Sequence, residues 1–159
     1  MMFRPMRRHK QQVSDDACRA VLQNAKRGVL AVNGDNGYPY AVPLNFVFDD
    51  AANTLYFHAA QAGHKLDAIR QNDKVCFTVW ENTGKQDGDW AWYVTSVVAF
   101  GKARLVDDTQ ERDRFLRALA AKYFPPEEDV EADMQKNAAR VQMIAVEVEH
   151  MTGKLVHEK

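Results

Sequence analysis

The sequence predicts a mostly antiparallel β-barrel of the α+β class. Three observations lead there. The elements run helix, three strands, helix, strand, one long β-rich stretch, helices and a closing strand. The strand–helix–strand rhythm of a doubly wound sheet is missing, and with it any GxGxxG turn. The longest β-rich stretch, residues 90–106, carries Gly101 near its middle, where a bulge or a barrel corner would fall. A length of 159 residues suits one domain over 1–159, with residues 1–12 a basic amino-terminal arm.

Ser14 or Asp15 caps the first helix. Cys18, Val21, Leu22 and Ala25 recur along it at helical spacing until Gly28 stops it. Residues 29–32 form a short apolar strand, and Asn33-Gly34-Asp35-Asn36-Gly37 is as dense a turn signal as the chain contains. Residues 38–48 resume as a second strand, interrupted by Pro39 and Pro43. Proline lacks the N–H that a ladder needs, so this strand belongs at an edge or a bulge. Residues 49–53 turn the chain into a third strand, 54–58, which completes a three-stranded antiparallel meander.

Residues 63–72 read as a short helix with Leu66 and Ile69 inward. Residues 74–80 alternate as a strand, and the polar, glycine-containing 81–89 is expected to be a mobile loop. After the long stretch, Asp107, Asp108 and Thr109 offer caps for a helix with Phe115, Leu116, Leu119, Ala120 and Tyr123 as its stripe. Pro125 and Pro126 end it. Residues 127–137 form an acidic helical excursion with a solvated face, and 141–149 close the fold as a strand.

Composition narrows the partners. Lys+Arg 21 against Asp+Glu 22 leaves a formal charge of -1, so no global field points to nucleic acid or to a membrane. Arg4, Arg7, Arg8 and Lys10 are the local exception. They are read as a frayed, solvated terminus, with a phosphate clamp or partner contact as the minority reading. Cys18 and Cys76 lack CxxC spacing and suit reduced thiols better than a disulfide or zinc site. Neither a membrane-length apolar run nor a signal-peptide core is present, so the expected location is cytoplasmic.

The chemistry concentrates in residues 57–65. Ala59, Ala60, Ala62 and Gly63 let a ligand approach the backbone, and a helix starting near Gly63 aims free N–H groups at that space. His64 and Lys65 add donors on its first turn. The result is an anion-binding corner or a plain strand-to-helix turn. His58 sits at the strand end facing the same corner and is the candidate proton donor or cofactor contact. His58 and His64 lack a third ligand, so no metal is expected. No GxSxG or HExxH motif supports a hydrolase.

Four blocks in order carry a family likeness. They are Gly37-Tyr38-Pro39-Tyr40-Ala41-Val42-Pro43-Leu44-Asn45-Phe46; Leu55-Tyr56-Phe57-His58-Ala59-Ala60 with Gly63-His64-Lys65-Leu66; Asn72-Asp73-Lys74-Val75-Cys76-Phe77; and Ser96-Val97-Val98-Ala99-Phe100-Gly101-Lys102-Ala103. Over residues 7–154 the chain closely resembles the nitroimidazole-resistance branch of the pyridoxamine-5'-phosphate-oxidase-like flavoproteins. The resemblance implies a split β-barrel that forms a homodimer and binds FMN noncovalently at the subunit interface. It implies that the flavin ring lies against Val42, Pro43, Leu44 and Asn45. His58, Ala59, Ala60, His64 and Lys65 would contact the phosphate and ribityl chain, and Ser96, Val97 and Val98 would add flavin contacts. The family's usual Arg-Lys pair is His64-Lys65 here, so Lys65 carries over better than His64. The carboxy-terminal Trp and Arg signature of the true oxidases is missing, which argues against pyridoxamine phosphate as substrate.

The implied function is an FMN-dependent oxidoreductase that reduces a nitroaromatic or other small-molecule acceptor, with His58 supplying a proton. The alternatives are a non-catalytic flavin- or haem-binding protein and, more weakly, an interaction domain that uses the basic arm.

Overall fold

The computed structural model describes residues 2–159. Eleven elements follow one another: α1 (Asp15–Asn24), β1 (Gly28–Asn33), β2 (Pro39–Leu44), β3 (Val47–Asp49), β4 (Thr54–Ala59), α2 (His64–Gln71), β5 (Lys74–Lys85), β6 (Trp92–Leu105), α3 (Thr109–Tyr123), α4 (Val130–Asn137) and β7 (Gln142–His157). Their caps agree with the sequence, because Ser14 accepts from the Ala17 N–H and Asp108 from the Gln110 N–H.

All seven strands join one antiparallel sheet in the order β2-β1-β5-β6-β7-β4-β3. The expected meander is therefore wrong. Residues 38–48 are two strands, and they lie at opposite edges of the sheet. Only Asn45 and Phe46 separate Leu44 at the end of β2 from Val47 at the start of β3. Three residue steps span at most about 11 Å, so the two edges must come together at that end. The sheet is rolled but not closed, which is a split barrel. The proline-bearing β2 is an edge strand, as its missing donors require.

Two further expectations need correction. The predicted loop 81–89 is strand as far as Lys85, because Glu81 to Lys85 pair with residues 92–95 of β6 in a long hairpin. The last strand runs to His157 rather than stopping at 149. Phe100 pairs with His150 but Gly101 with Val148, so Glu149 is the extra residue of a bulge and breaks the alternation there. Gly101 is needed at that point, since a Cβ would stand 2.3 Å from the Glu147 carbonyl oxygen. The amino-terminal arm is docked rather than frayed. Phe3 stacks on His150 at 4.7 Å, and the Val13 N–H donates to the Gly153 carbonyl, while Arg4, Arg7, Arg8 and Lys10 stay exposed. Met1 lies outside the described residues.

The barrel interior is filled by Leu30, Phe57, Phe77, Val97 and Ile144 from five strands, with Leu66 and Ile69 of α2 and Val21 and Leu22 of α1 packed among them. A second, smaller core lies outside the sheet, where α3 covers β4 and β7 and Tyr56 stacks on Phe115. The Arg104 guanidinium donates to both oxygens of Glu111 at 2.8 and 2.6 Å, and the Tyr56 hydroxyl donates to the same carboxylate at 2.8 Å. These bonds fasten α3 to the sheet. By contrast, the register row Pro43, Val29, Thr78 and Val98 crosses the outer face of β2, β1, β5 and β6, exposed at Pro43 and half-buried elsewhere. Trp80 is 56 % exposed on the same face. No helix among the described residues is long and apolar enough to cross a membrane.

Candidate functional site

The corner at residues 57–65 is built by the end of β4 and the start of α2. Burial alternates along it: Phe57 and Ala59 point into the core, while His58 turns outward. Gly63 has φ +148°, a conformation that side chains rarely adopt, and the space where its Cβ would stand is empty to 4 Å. α2 starts there with no side-chain cap, unlike α1, α3 and α4. The N–H groups of its first turn have no intrahelical acceptor. Lys65 on that turn is half-buried, with no carboxylate within ion-pair distance among the described residues. Burial, and then the Lys65 ammonium, push the His58 imidazole below the usual histidine range. Free backbone donors at the α2 start and the Lys65 cation on its first turn supply the electrostatics of an anion site, and Lys65 is near enough to act on His58.

The other expected residues divide by face. Val42 and Leu44 pack against the barrel core, so only Pro43 and the strand backbone present themselves outside, with Asn45 half-buried at the strand's end. Val97 is fully buried, while its neighbours Ser96 and Val98 lie half-buried on the outer face. Ala59 is core and Ala60 is exposed. His64 turns toward the β1–β2 connection, where it stacks on Tyr40 at 4.1 Å and holds its Nε2 3.8 Å from the Asp35 carboxylate. Lys65 acts on His58 through its charge, while His64 is engaged elsewhere.

Sequence reasoning missed a cavity of about 160 Å³ between α3, α4 and the sheet. Asn45 and His58 form its polar side, and Leu116, Leu119, Ala120 and Met134 supply apolar wall. The signal was the stripe Val130, Met134 and Asn137, at i, i+4 and i+7 on the inner side of the acidic helix. Also missed was the clamp on the link between β2 and β3. The Tyr123 hydroxyl accepts from the Phe46 N–H at 3.0 Å and donates to the Lys26 carbonyl at 2.6 Å. Lys122 Nζ donates to the Phe46 carbonyl at 3.0 Å. Burial, aided by Lys26 and opposed by Glu81, pushes Lys122 down to about 8. Among the described residues no group of three His, Cys, Asp or Glu side chains could hold a metal ion.

A rolled, open antiparallel sheet with its two edges joined by a short link defines a split barrel. The pyridoxamine 5'-phosphate oxidase family model matches residues 14–155, and the chain belongs to that family. Solved structures share the fold. A candidate 5-nitroimidazole antibiotic resistance protein from Bacteroides thetaiotaomicron is 22% identical, with a TM-score of 0.75 over 92% of this chain and 87% of its own. An FAD-binding protein from Mesorhizobium loti is 24% identical, with a TM-score of 0.68 over 91% and 96%. The flavocytochrome Anf3 from Azotobacter vinelandii is 19% identical, with a TM-score of 0.74 over 96% of this chain and 72% of its own. No curated protein matches the chain.

Proposed function

We propose that this protein is an FMN-binding oxidoreductase of the nitroimidazole-resistance type, reducing a nitroaromatic or other small acceptor as a homodimer. The observation that carries the reading is the α2 start, uncapped and facing open space, with Lys65 on its first turn. Those donors fit a phosphate, and the FAD-binding protein and the flavocytochrome among the structural neighbours support a flavin as its bearer, which on the family resemblance is FMN. When bound, FMN supplies two-electron and one-electron redox chemistry. The chain supplies the rest. Lys65 and the helix N–H groups hold the phosphate, the β2 backbone and Asn45 border the ring, and His58 donates a proton to the reduced product. The row Pro43, Val29, Thr78 and Val98 is the surface that a second copy would cover, with Ser96 beside it.

The first test is an absorption spectrum of the purified protein, followed by FMN titration of wild type and Lys65→Ala. A charge-assisted bond to phosphate contributes about 2 kcal/mol, so the variant should bind FMN ~30-fold more weakly. Colourless protein that stays so after FMN is added refutes the reading, and unchanged affinity in Lys65→Ala removes Lys65 from the site. A Soret band lost in His58→Ala would instead establish haem binding. Sedimentation of wild type against Val98→Asp tests the dimer. A monomeric wild type overturns it.

A further inference from the structure

The cavity beneath α3 and α4 has a size, a polarity and two unspent polar groups, and together they specify a ligand. About 160 Å³ is close to the roughly 150 Å³ engineered cavity that takes up benzene. It admits a single ring with a small substituent and excludes a fused tricycle such as the flavin ring itself. Leu116, Leu119, Ala120, Met134 and Val141 leave such a ring only apolar contacts on most sides.

The polar groups around the cavity differ in what they have left to offer. The Asn137 amide commits one N–H to Asp133 at 2.7 Å, which fixes its orientation on α4. The Tyr123 hydroxyl is spent on Phe46 and Lys26. Among the described residues neither the Asn45 nor the His58 side chain has a hydrogen-bond partner, and both border the same space. Asn45 is half-buried and His58 turns outward at the cavity edge, so both side chains are free to bond to a ligand substituent that donates or accepts. Asp133 at the rim disfavours a carboxylate there.

We propose that this cavity is a ring pocket for a neutral, single-ring aromatic molecule whose polar substituent bonds to Asn45 and His58. On the flavin reading above, which this assignment of a role rests on, it is the seat of the acceptor. Asn45 is the shared residue, since it directly follows β2, the strand along which the proposal puts the flavin ring, and also lines the pocket. Acceptors with three fused rings or a carboxylate on the ring would then be poor substrates.

Binding is testable without flavin. The Met134 methyl group lines the cavity and gives an NMR resonance, assignable with Met134→Leu. Phenol and nitrobenzene should shift that resonance saturably in flavin-free protein. Benzoate should bind at least ~10-fold more weakly, the factor that one tenfold step in affinity represents, and anthracene, a fused tricycle, should not bind. Ala120→Leu and Ala138→Leu, two separate fillings of the wall, should each abolish the shift, and His58→Ala should weaken phenol more than benzene. A Met134 resonance unmoved by phenol and nitrobenzene overturns the pocket, as does an equal shift in both folded filling variants. The same titration in FMN-loaded protein reads the flavin absorption band. A Met134 shift with no flavin response keeps the pocket and overturns its role as acceptor seat. Failure to bind FMN beside a normal phenol titration sinks the flavin reading alone.

Discussion

Replacing Tyr123 with Phe removes one oxygen and tests how the split in the barrel is held. The hydroxyl has a single proton, which goes to the nearer carbonyl, that of Lys26 at 2.6 Å. Its lone pair receives the Phe46 N–H at 3.0 Å. The second carbonyl in reach, that of Phe46, already has Lys122 Nζ. In the variant the Lys26 carbonyl, on an exposed residue, turns to water at little cost. The Phe46 N–H has no such recourse, because Phe46 is fully buried. An orphaned buried donor costs about 1–3 kcal/mol, so Tyr123→Phe should lose about 2 kcal/mol. For a chain of this length each kcal/mol shifts Tm by roughly 2–4 °C, which gives a drop of about 4–8 °C. Urea unfolding should show a lower midpoint at unchanged m, since the fold and its exposed surface are the same. A loss below about 0.5 kcal/mol would refute the clamp and leave the link held by Phe46 packing alone.

Three other outcomes follow from the same geometry. Lys122, held at about 8 in the folded state against about 10.4 unfolded, binds fewer protons folded than unfolded between those values. Stability should therefore rise with pH across that window, and urea midpoints of Lys122→Met should lose that rise. His58 should titrate below about 6.5 by ring NMR in flavin-free protein and move upward when FMN brings phosphate to Lys65, with turnover increasing as pH falls; an identical titration with and without FMN would place the phosphate elsewhere. Gly101→Ala drives a Cβ to 2.3 Å from the Glu147 carbonyl and should cost about 3 kcal/mol by urea unfolding.

What the sequence disclosed was what short-range chemistry decides. Ser14 and Asp108 mark helix starts because a cap bonds within three residues. Pro39 and Pro43 mark an edge because a missing donor is a local fact. Lys65 and His58 stood out because small residues before a helix start are visible in nine positions of chain. The parting of β2 from β3 was not visible, since Phe46 is apolar and reads as continuing a strand, and only the remote pairing of β4 with β7 sends the chain to the far edge. Residues 81–85 look like a loop because they are polar and hold Gly84, yet pairing with Tyr93 and Trp92 extends them. The cavity takes lining from Met134 and from His58, 76 positions earlier in the chain, and no local pattern reports such a meeting.

The two-residue link between opposite edges also governs the order in which the molecule can be made. β4 has no sheet partner beyond the three-residue β3 until β7 arrives, and β7 is the last strand in the chain. The early segment carrying half of the anion corner must therefore wait through nearly a hundred residues of synthesis for its neighbour. Long-range closure of this kind slows folding and leaves strand edges bare meanwhile. The amino-terminal arm waits for the same strand, because the residues it docks on, His150 and Gly153, also belong to β7.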